Sequence, residues 1–182
     1  MATEESSQSE QLKWEGKLSA ELKGATADQV WPLLEDFFNI HKWFPGIDTC
    51  KALEGVSGQP GCIRYCVKST ATTSVPAWPE SEEKMMDSTV WAKERLVAID
   101  PVERWLRYEV AENNIGMKSY MATIKVLQLS KPANEGCQIE WSFVSDPVEG
   151  LTFEGFLSYL ESILQGMAQR MEEALCPNPT SL

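Results

Sequence analysis

FEGFLSYLESILQGMAQRMEEAL, residues 153–175, places apolar side chains at helical spacing. Phe153, Phe156, Leu157, Leu160, Ile163, Leu164, Met167, Ala168, Met171 and Leu175 form one stripe, and Glu154, Glu161, Gln165, Gln169 and Glu172 lie opposite. The segment therefore predicts a long amphipathic helix. At about 1.5 Å per residue it spans roughly 35 Å, enough to cross a whole sheet. Its stripe has to be covered by another layer, and the residues upstream supply one.

Before the helix the period changes from 3.6 to two. Residues 50–54, 63–68, 90–99, 105–110, 117–129 and 137–144 alternate apolar and polar side chains between Gly, Pro, Asn and Asp turns, which predicts six strands. No ten-residue helical pattern separates them, so sequence neighbours pair as antiparallel strands rather than through parallel crossovers. Nearer the N-terminus, Trp14, Gly16, Leu18, Ala20 and Leu22 share one side of a further strand. Lys13, Glu15, Lys17, Ser19 and Glu21 share its wet side. Thr26-Ala27-Asp28-Gln29 is a capping box that opens a helix. Pro32 kinks or shortens that helix, and Pro45-Gly46 closes a second short helical piece around residues 37–43. The order is strand, two short helices, six strands, long helix. This is an α+β chain whose seven-stranded antiparallel sheet offers, on its concave face, the only large apolar surface for the C-terminal stripe.

A length of 182 residues with 43% hydrophobic composition and seven Trp fits one domain with a true core, expected over residues 11–176. Residues 1–10 (MATEESSQSE) have the composition of a disordered tail, and residues 177–182 form a second tail behind prolines that stop the helix. The polar, acidic start lacks the basic flank and apolar stretch of a signal peptide, and no run of about 18 apolar residues is present to span a membrane. A cytoplasmic address without stable membrane insertion is the expectation. The net charge of −11 opposes binding to phosphate backbones, so nucleic acid is not an expected partner. Five cysteines (Cys50, Cys62, Cys66, Cys137, Cys176) are scattered, with no C-x-x-C pair and a single histidine, His41. They read as reduced, mostly buried thiols rather than a disulfide or metal framework. Neither a Gly-rich phosphate loop nor a dinucleotide fingerprint occurs, so no cofactor and no metal are expected. His41 has no nucleophile in a triad-like pattern and reads as structural.

Bulky aromatics on the strands that face the helix hold a curved sheet away from it, which makes a void between the two layers an expectation. The local strings and their order resemble a known group. They are Val30-Trp31-x-Leu33-Leu34-x-Asp36-Phe37, Asn39-Ile40-His41-Lys42, Gly61-Cys62-Ile63-Arg64-Tyr65, the run from Trp91 through Glu94 to Asp100, Tyr120-x-Ala122-Thr123, Trp141-Ser142-Phe143, and Glu149-Gly150 before the helix. Over residues 12–175 the chain resembles the plant START-like, polyketide cyclase/dehydrase and lipid-transport superfamily, with the helix-grip fold of the birch pollen allergen. Within it, the chain is most similar to lachrymatory-factor synthase-like proteins.

The resemblance implies an internal cavity for a hydrophobic small molecule, a plant metabolite or lipid, and a binding or carrier role. It also implies an alternative, a cofactor-free isomerase or cyclase, because Arg64 and Glu94 match an arginine and a glutamate needed for a proton-transfer isomerisation in the synthase group. Glu94 shares strand parity with Ala92, Leu96 and Ala98, so it points where small and apolar groups point. There it would be general acid/base, with Arg64 as the anchor for a polar oxygen. The same two positions match residues of the non-catalytic abscisic acid receptors, so ligand contact and a purely structural ion pair stay open. Parity and family position together place Arg64, Cys66, Glu94, Tyr108, Val110, Tyr120, Trp141, Tyr159, Ile163 and Met167 inside. Abscisic acid itself is not an expected ligand. The receptors' gate has an echo in Ser74-Val75-Pro76-Ala77, but their latch falls on Ile115-Gly116-Met117 and their carboxylate-binding lysine on Asp48, which repels a carboxylate. No feature points to a particular protein partner. Residues 69–89, longer than in the synthase group and holding Pro76, Trp78 and Pro79, read either as a lid at the cavity mouth or as a surface hairpin tip.

Overall fold

The computed structural model describes residues 12–69, 89–131 and 134–176. The segment read as a lid or hairpin tip lies outside the described residues except for Ser69 and Thr89, and so do both expected tails. In chain order the elements are β1 (Trp14–Leu22), α1 (Ala27–Glu35), a 3-10 helix (Phe37–Lys42), β2 (Thr49–Glu54), β3 (Ile63–Ser69), β4 (Thr89–Asp100), β5 (Trp105–Asn113), β6 (Met121–Lys131), β7 (Asn134–Ser145) and α2 (Phe153–Leu175). The sheet runs β1-β7-β6-β5-β4-β3-β2. Strands β2 to β7 are thus an antiparallel meander, and β1 joins the far edge with Trp14 opposite Ser145 and Leu22 opposite Cys137. The seven strands, two short helices and long final helix form the helix-grip arrangement.

The capping box is formed as the sequence predicts. Gln29 N–H donates to Thr26 Oγ1 at 3.3 Å, and Thr26 N–H donates to Gln29 Oε1 at 2.9 Å. With Pro32 inside it, α1 is only nine residues long and gives way to the 3-10 helix after Asp36. The largest shift of a strand start from the sequence pattern is at β6, which begins at Met121, not Met117. Gly116 (φ 76°) and Ser119 (φ 52°) take left-handed backbone, which ends the extended run, and Asn113 Oδ1 accepts from Ile115 and Met117 N–H, both at 3.0 Å, to fold the segment into a loop.

Three irregularities bend the sheet around its helix. Register shifts occur between Ala52 and Glu54 on β2, and twice between β4 and β5. Near Glu94 the extra residue is Ala111 on β5; three residues on it is Val97 on β4. The second shift reverses the parity of β4. Ala98, expected on the inner face, pairs with the exposed Arg107, whereas Ile99 pairs with buried Leu106 and joins the core.

Helix α2 starts at its N-cap Thr152, whose hydroxyl accepts from Gly155 N–H at 3.1 Å, and lies over the concave face. Phe156 is completely buried and meets the Phe143 ring edge-on at 5.2 Å. Leu160, Ile163, Leu164, Met167 and Met171 continue the buried stripe. None of the described helices is long and apolar enough to cross a membrane.

Candidate functional site

Alternation along β3 turns Arg64, Cys66 and Lys68 inward, and all three are buried. The β3–β4 register sets Arg64 opposite Glu94 and Cys66 opposite Ala92, and the β4–β5 register continues the row from Glu94 to Val110. The bulge beside Glu94 falls at the point where this row meets the interior, where bulges commonly re-aim a side chain.

A half-open cavity of about 90 Å³ lies against this row. Since a single water needs roughly 10–15 Å³ on the same measure, the space holds a small ligand or several waters. The sheet supplies Cys66, Glu94, Tyr108, Val110 and Trp141 to its wall, the loop before β6 supplies Tyr120, and α2 supplies Tyr159 and Leu160. Lys68, Trp91 and Ala92 line it too, and two connecting segments contribute Phe44, Gly46 and Ile47, and Ile115 with Met117.

Arg64 and Glu94 make a close ion pair. Arg64 Nε donates to Glu94 Oε2 at 2.7 Å and Nη2 lies 2.6 Å from the same oxygen. Nη1 donates to the Phe37 carbonyl at 2.8 Å, and the guanidinium carbon sits 3.9 Å over the Phe37 ring and 5.3 Å from that of Tyr108. Burial on its own would loosen the Arg64 proton, but Glu94 beside it overcomes that and holds the guanidinium more firmly charged than usual. All three guanidinium nitrogens are therefore engaged within the protein, and Arg64 stands behind the cavity wall rather than in it. The hydrogen bonds to Glu94 among the described residues all fall on Oε2. Oε1 takes none, and Glu94 is part of the wall.

Above the carboxylate is an aromatic cluster. Tyr108 and Tyr120 lie 6.3 Å apart, and Tyr120 stacks on Phe143 at 6.0 Å. Burial pushes the hydroxyls of Tyr108 and Tyr120 well above the ordinary phenol range, and pushes that of Tyr159 up to about 12. All three stay neutral and able to donate. Among the described residues the buried Tyr120 Oη and Trp141 Nε1 atoms have no partner in good hydrogen-bond geometry, although the Tyr108 and Trp141 tips lie near enough to Tyr120 to interact with it. A buried polar atom without a partner costs about 1–3 kcal/mol, so both are places where a bound oxygen would be stabilised.

Seven of the ten expected interior residues share the wall: Cys66, Glu94, Tyr108, Val110, Tyr120, Trp141 and Tyr159. Three do not. Arg64 lies one layer back, with its nitrogens used by Glu94 and Phe37. Ile163 and Met167 are completely buried in packed core. The Pro45-Gly46 turn seats against Ile163 and Gly166, so the helix is covered from that point onward. The loop residues Phe44, Ile47 and Ile115 escape sequence reading because a loop has no period to follow, and Met117, expected at the start of a strand, lies in the loop before β6. Lys68, also in the wall, shares parity with Arg64 and Cys66, and that signal marks it as inward.

The profile of the family described as polyketide cyclase/dehydrase and lipid transport matches residues 13–175. Among solved structures, the chain is similar to the protein XoxI from Bacillus cereus, at 23% identity and a TM-score of 0.64, over 88% of this chain and 97% of that one. A Thermobifida fusca protein solved by NMR in solution gives 22% identity and a TM-score of 0.63, over 89% and 95% of the two chains. Ginseng major latex-like protein 151 from Panax ginseng gives 19% and 0.60, over 90% and 99%. At these identities the structural likeness speaks for the fold alone.

Proposed function

Because the chain belongs to the polyketide cyclase/dehydrase and lipid transport family, we propose that it is a binding or carrier protein for a small hydrophobic molecule held between sheet and helix. The observation that carries this reading is the wall itself. It is mainly aromatic and aliphatic, with Glu94 and Lys68 in it, and it contains two buried polar tips, Tyr120 Oη and Trp141 Nε1, that have no partner in good hydrogen-bond geometry among the described residues. Such a wall favours a mainly apolar ligand with one oxygen acceptor, since an indole N–H can only donate. Mass spectrometry of organic extracts from the natively purified protein tests it. A stoichiometric apolar compound supports the carrier, and a Trp141→Phe protein that keeps its fold should then bind that compound more weakly. Extracts that stay empty from every source count against a tight carrier.

One observation favours a second reading, a lachrymatory-factor-synthase-like isomerase or a cyclase. Among the described residues nothing engages Glu94 Oε1 at the wall while Arg64 fixes Oε2, the arrangement of an oriented general acid/base. In this reading Arg64 is a positioning residue and not the ligand's anchor. Turnover that is lost in Glu94→Gln, with ligand affinity retained, supports catalysis. Tight binding without turnover in the unaltered protein supports the carrier.

A further inference from the structure

The ion pair and the aromatic wall leave one reactive cluster unused. Cys50 on β2 and Cys66 on β3 are direct register partners, and their sulfur atoms lie 3.0 Å apart. Facing residues of an antiparallel pair have Cα atoms about 4.5 or 5.5 Å apart, inside the span of about 4.4–6.8 Å that a disulfide bridges. The other three cysteines, Cys62, Cys137 and Cys176, make no such pair among the described residues. Cys50 is partly exposed on the edge strand β2, whereas Cys66 is 4% exposed and lines the cavity.

We infer that Cys50 and Cys66 are a dithiol site that reacts with small-molecule disulfides, Cys50 as the attacking thiol and Cys66 as the resolving one, to close a cross-strand bridge in the cavity wall.

The two sulfurs differ in exposure in the direction this division requires, Cys50 partly exposed and Cys66 buried. Either sulfur can be the donor in the contact they share; when Cys66 donates, Cys50 loses its proton more readily than an ordinary thiol, with Arg64 adding to the effect against the burial of Cys50. Cys66 holds its proton more tightly, first through that same bond, then through burial and the Glu94 carboxylate, whose Oε2 is 4.0 Å from its sulfur. A thiolate, not a thiol, attacks sulfur, so the exposed member of the pair is also the activated one.

The steps balance with one disulfide, R–S–S–R. The Cys50 thiolate attacks one sulfur, forms the mixed disulfide Cys50–S–S–R and expels a thiolate that takes up the proton Cys50 gave to solvent. Cys66 then loses its proton to solvent and attacks the Cys50 sulfur. The Cys50–Cys66 bond forms, and the second thiolate leaves and is protonated. The protein loses two hydrogens and two electrons, and the disulfide becomes two thiols.

Trypsin separates the two residues. Cys50 falls in residues 43–51 (WFPGIDTCK) and Cys66 in residues 65–68 (YCVK), each with one cysteine. The folded protein is incubated with glutathione disulfide, alkylated with iodoacetamide and mapped by mass spectrometry, with circular dichroism on every variant. The expected product is a linked pair of these peptides. Cys66→Ser should stop at glutathione on residues 43–51, and Cys50→Ala should leave residues 65–68 unmodified. The inference is overturned if folded wild-type protein keeps residues 43–51 fully alkylatable, or if residues 65–68 carry the glutathione in Cys50→Ala.

Discussion

Arg64 and Glu94 decide more than any other residues what the interior can do. The pair is nearly dry, with side chains 5% and 13% exposed, so it is held by geometry and not by solvent. Removing one partner strands the other. Arg64→Met should cost about 3–5 kcal/mol, because it leaves a buried carboxylate without its counterion and the Phe37 carbonyl without its donor. The double change Arg64→Met with Glu94→Leu should recover most of that loss, since an apolar pair of similar volume needs no compensation. Urea midpoints at constant m-value read both; a single variant as stable as the parent would contradict a buried, fully engaged arginine. The three interior phenols make a prediction in pH. Each has its folded pKa raised above the ordinary value of 10.0 by burial, so each contributes stability that is fully present below pH 10. That contribution is lost as pH rises through the folded values, about 12 for Tyr159. Urea unfolding at stepped pH should show stability falling across this window, and in a Tyr65→Phe protein, which keeps only the three interior phenols, tyrosinate absorbance should rise together with loss of structure rather than before it. The residue types that mark this site are legible in the sequence because Arg64, Cys66, Glu94 and Tyr108 obey strand parity. Arg64's place behind the wall is not legible, since parity gives a direction and not a depth.

At the scale of elements, the sheet and α2 meet closely at Gly16 on β1. A Cβ there would lie 2.5 Å from Phe143 Cε1 and 2.9 Å from Leu157 Cδ2. The Phe143 ring has little room to yield, held between Tyr120 at 6.0 Å and Phe156 at 5.2 Å. Gly16→Ala should therefore destabilise. The overpacking cost of about 1–3 kcal/mol exceeds the gain of roughly 0.5–1 kcal/mol from replacing a strand glycine. A rise in thermal midpoint would show instead that helix and sheet are loosely joined at this end. The elements themselves are legible because each carries its own local signal: period two on β1, the Thr26 box before α1, period 3.6 on α2. Two details are not. The Val97 bulge exchanges the roles of Ala98 and Ile99, and the Ser119 turn delays β6 to Met121. Both depend on partner strands and backbone twist, which a linear pattern of apolar residues does not contain.

At the scale of the whole molecule, the cavity lies between α2 and a sheet that register shifts bend around it. Bulges curve β2 to β5, the aromatic cluster props the layers apart near Tyr159, and from Ile163 onward the stripe is packed. The sequence contains the two layers, but the gap depends on how the sheet bends over the helix, so its volume and its loop-derived walls emerge only in three dimensions. Ala92 is the residue through which the gap can be closed without disturbing the ion pair. It lies in the wall, opposite Cys66 and two positions from Glu94. The most direct test is a fluorescence titration of an uncharged, apolar, polarity-sensitive dye against the unaltered protein and Ala92→Phe, with circular dichroism confirming that both are folded. Saturation at one dye per chain, with affinity at least tenfold weaker in Ala92→Phe, is the predicted result; equal binding to both proteins would contradict a ligand site between sheet and helix.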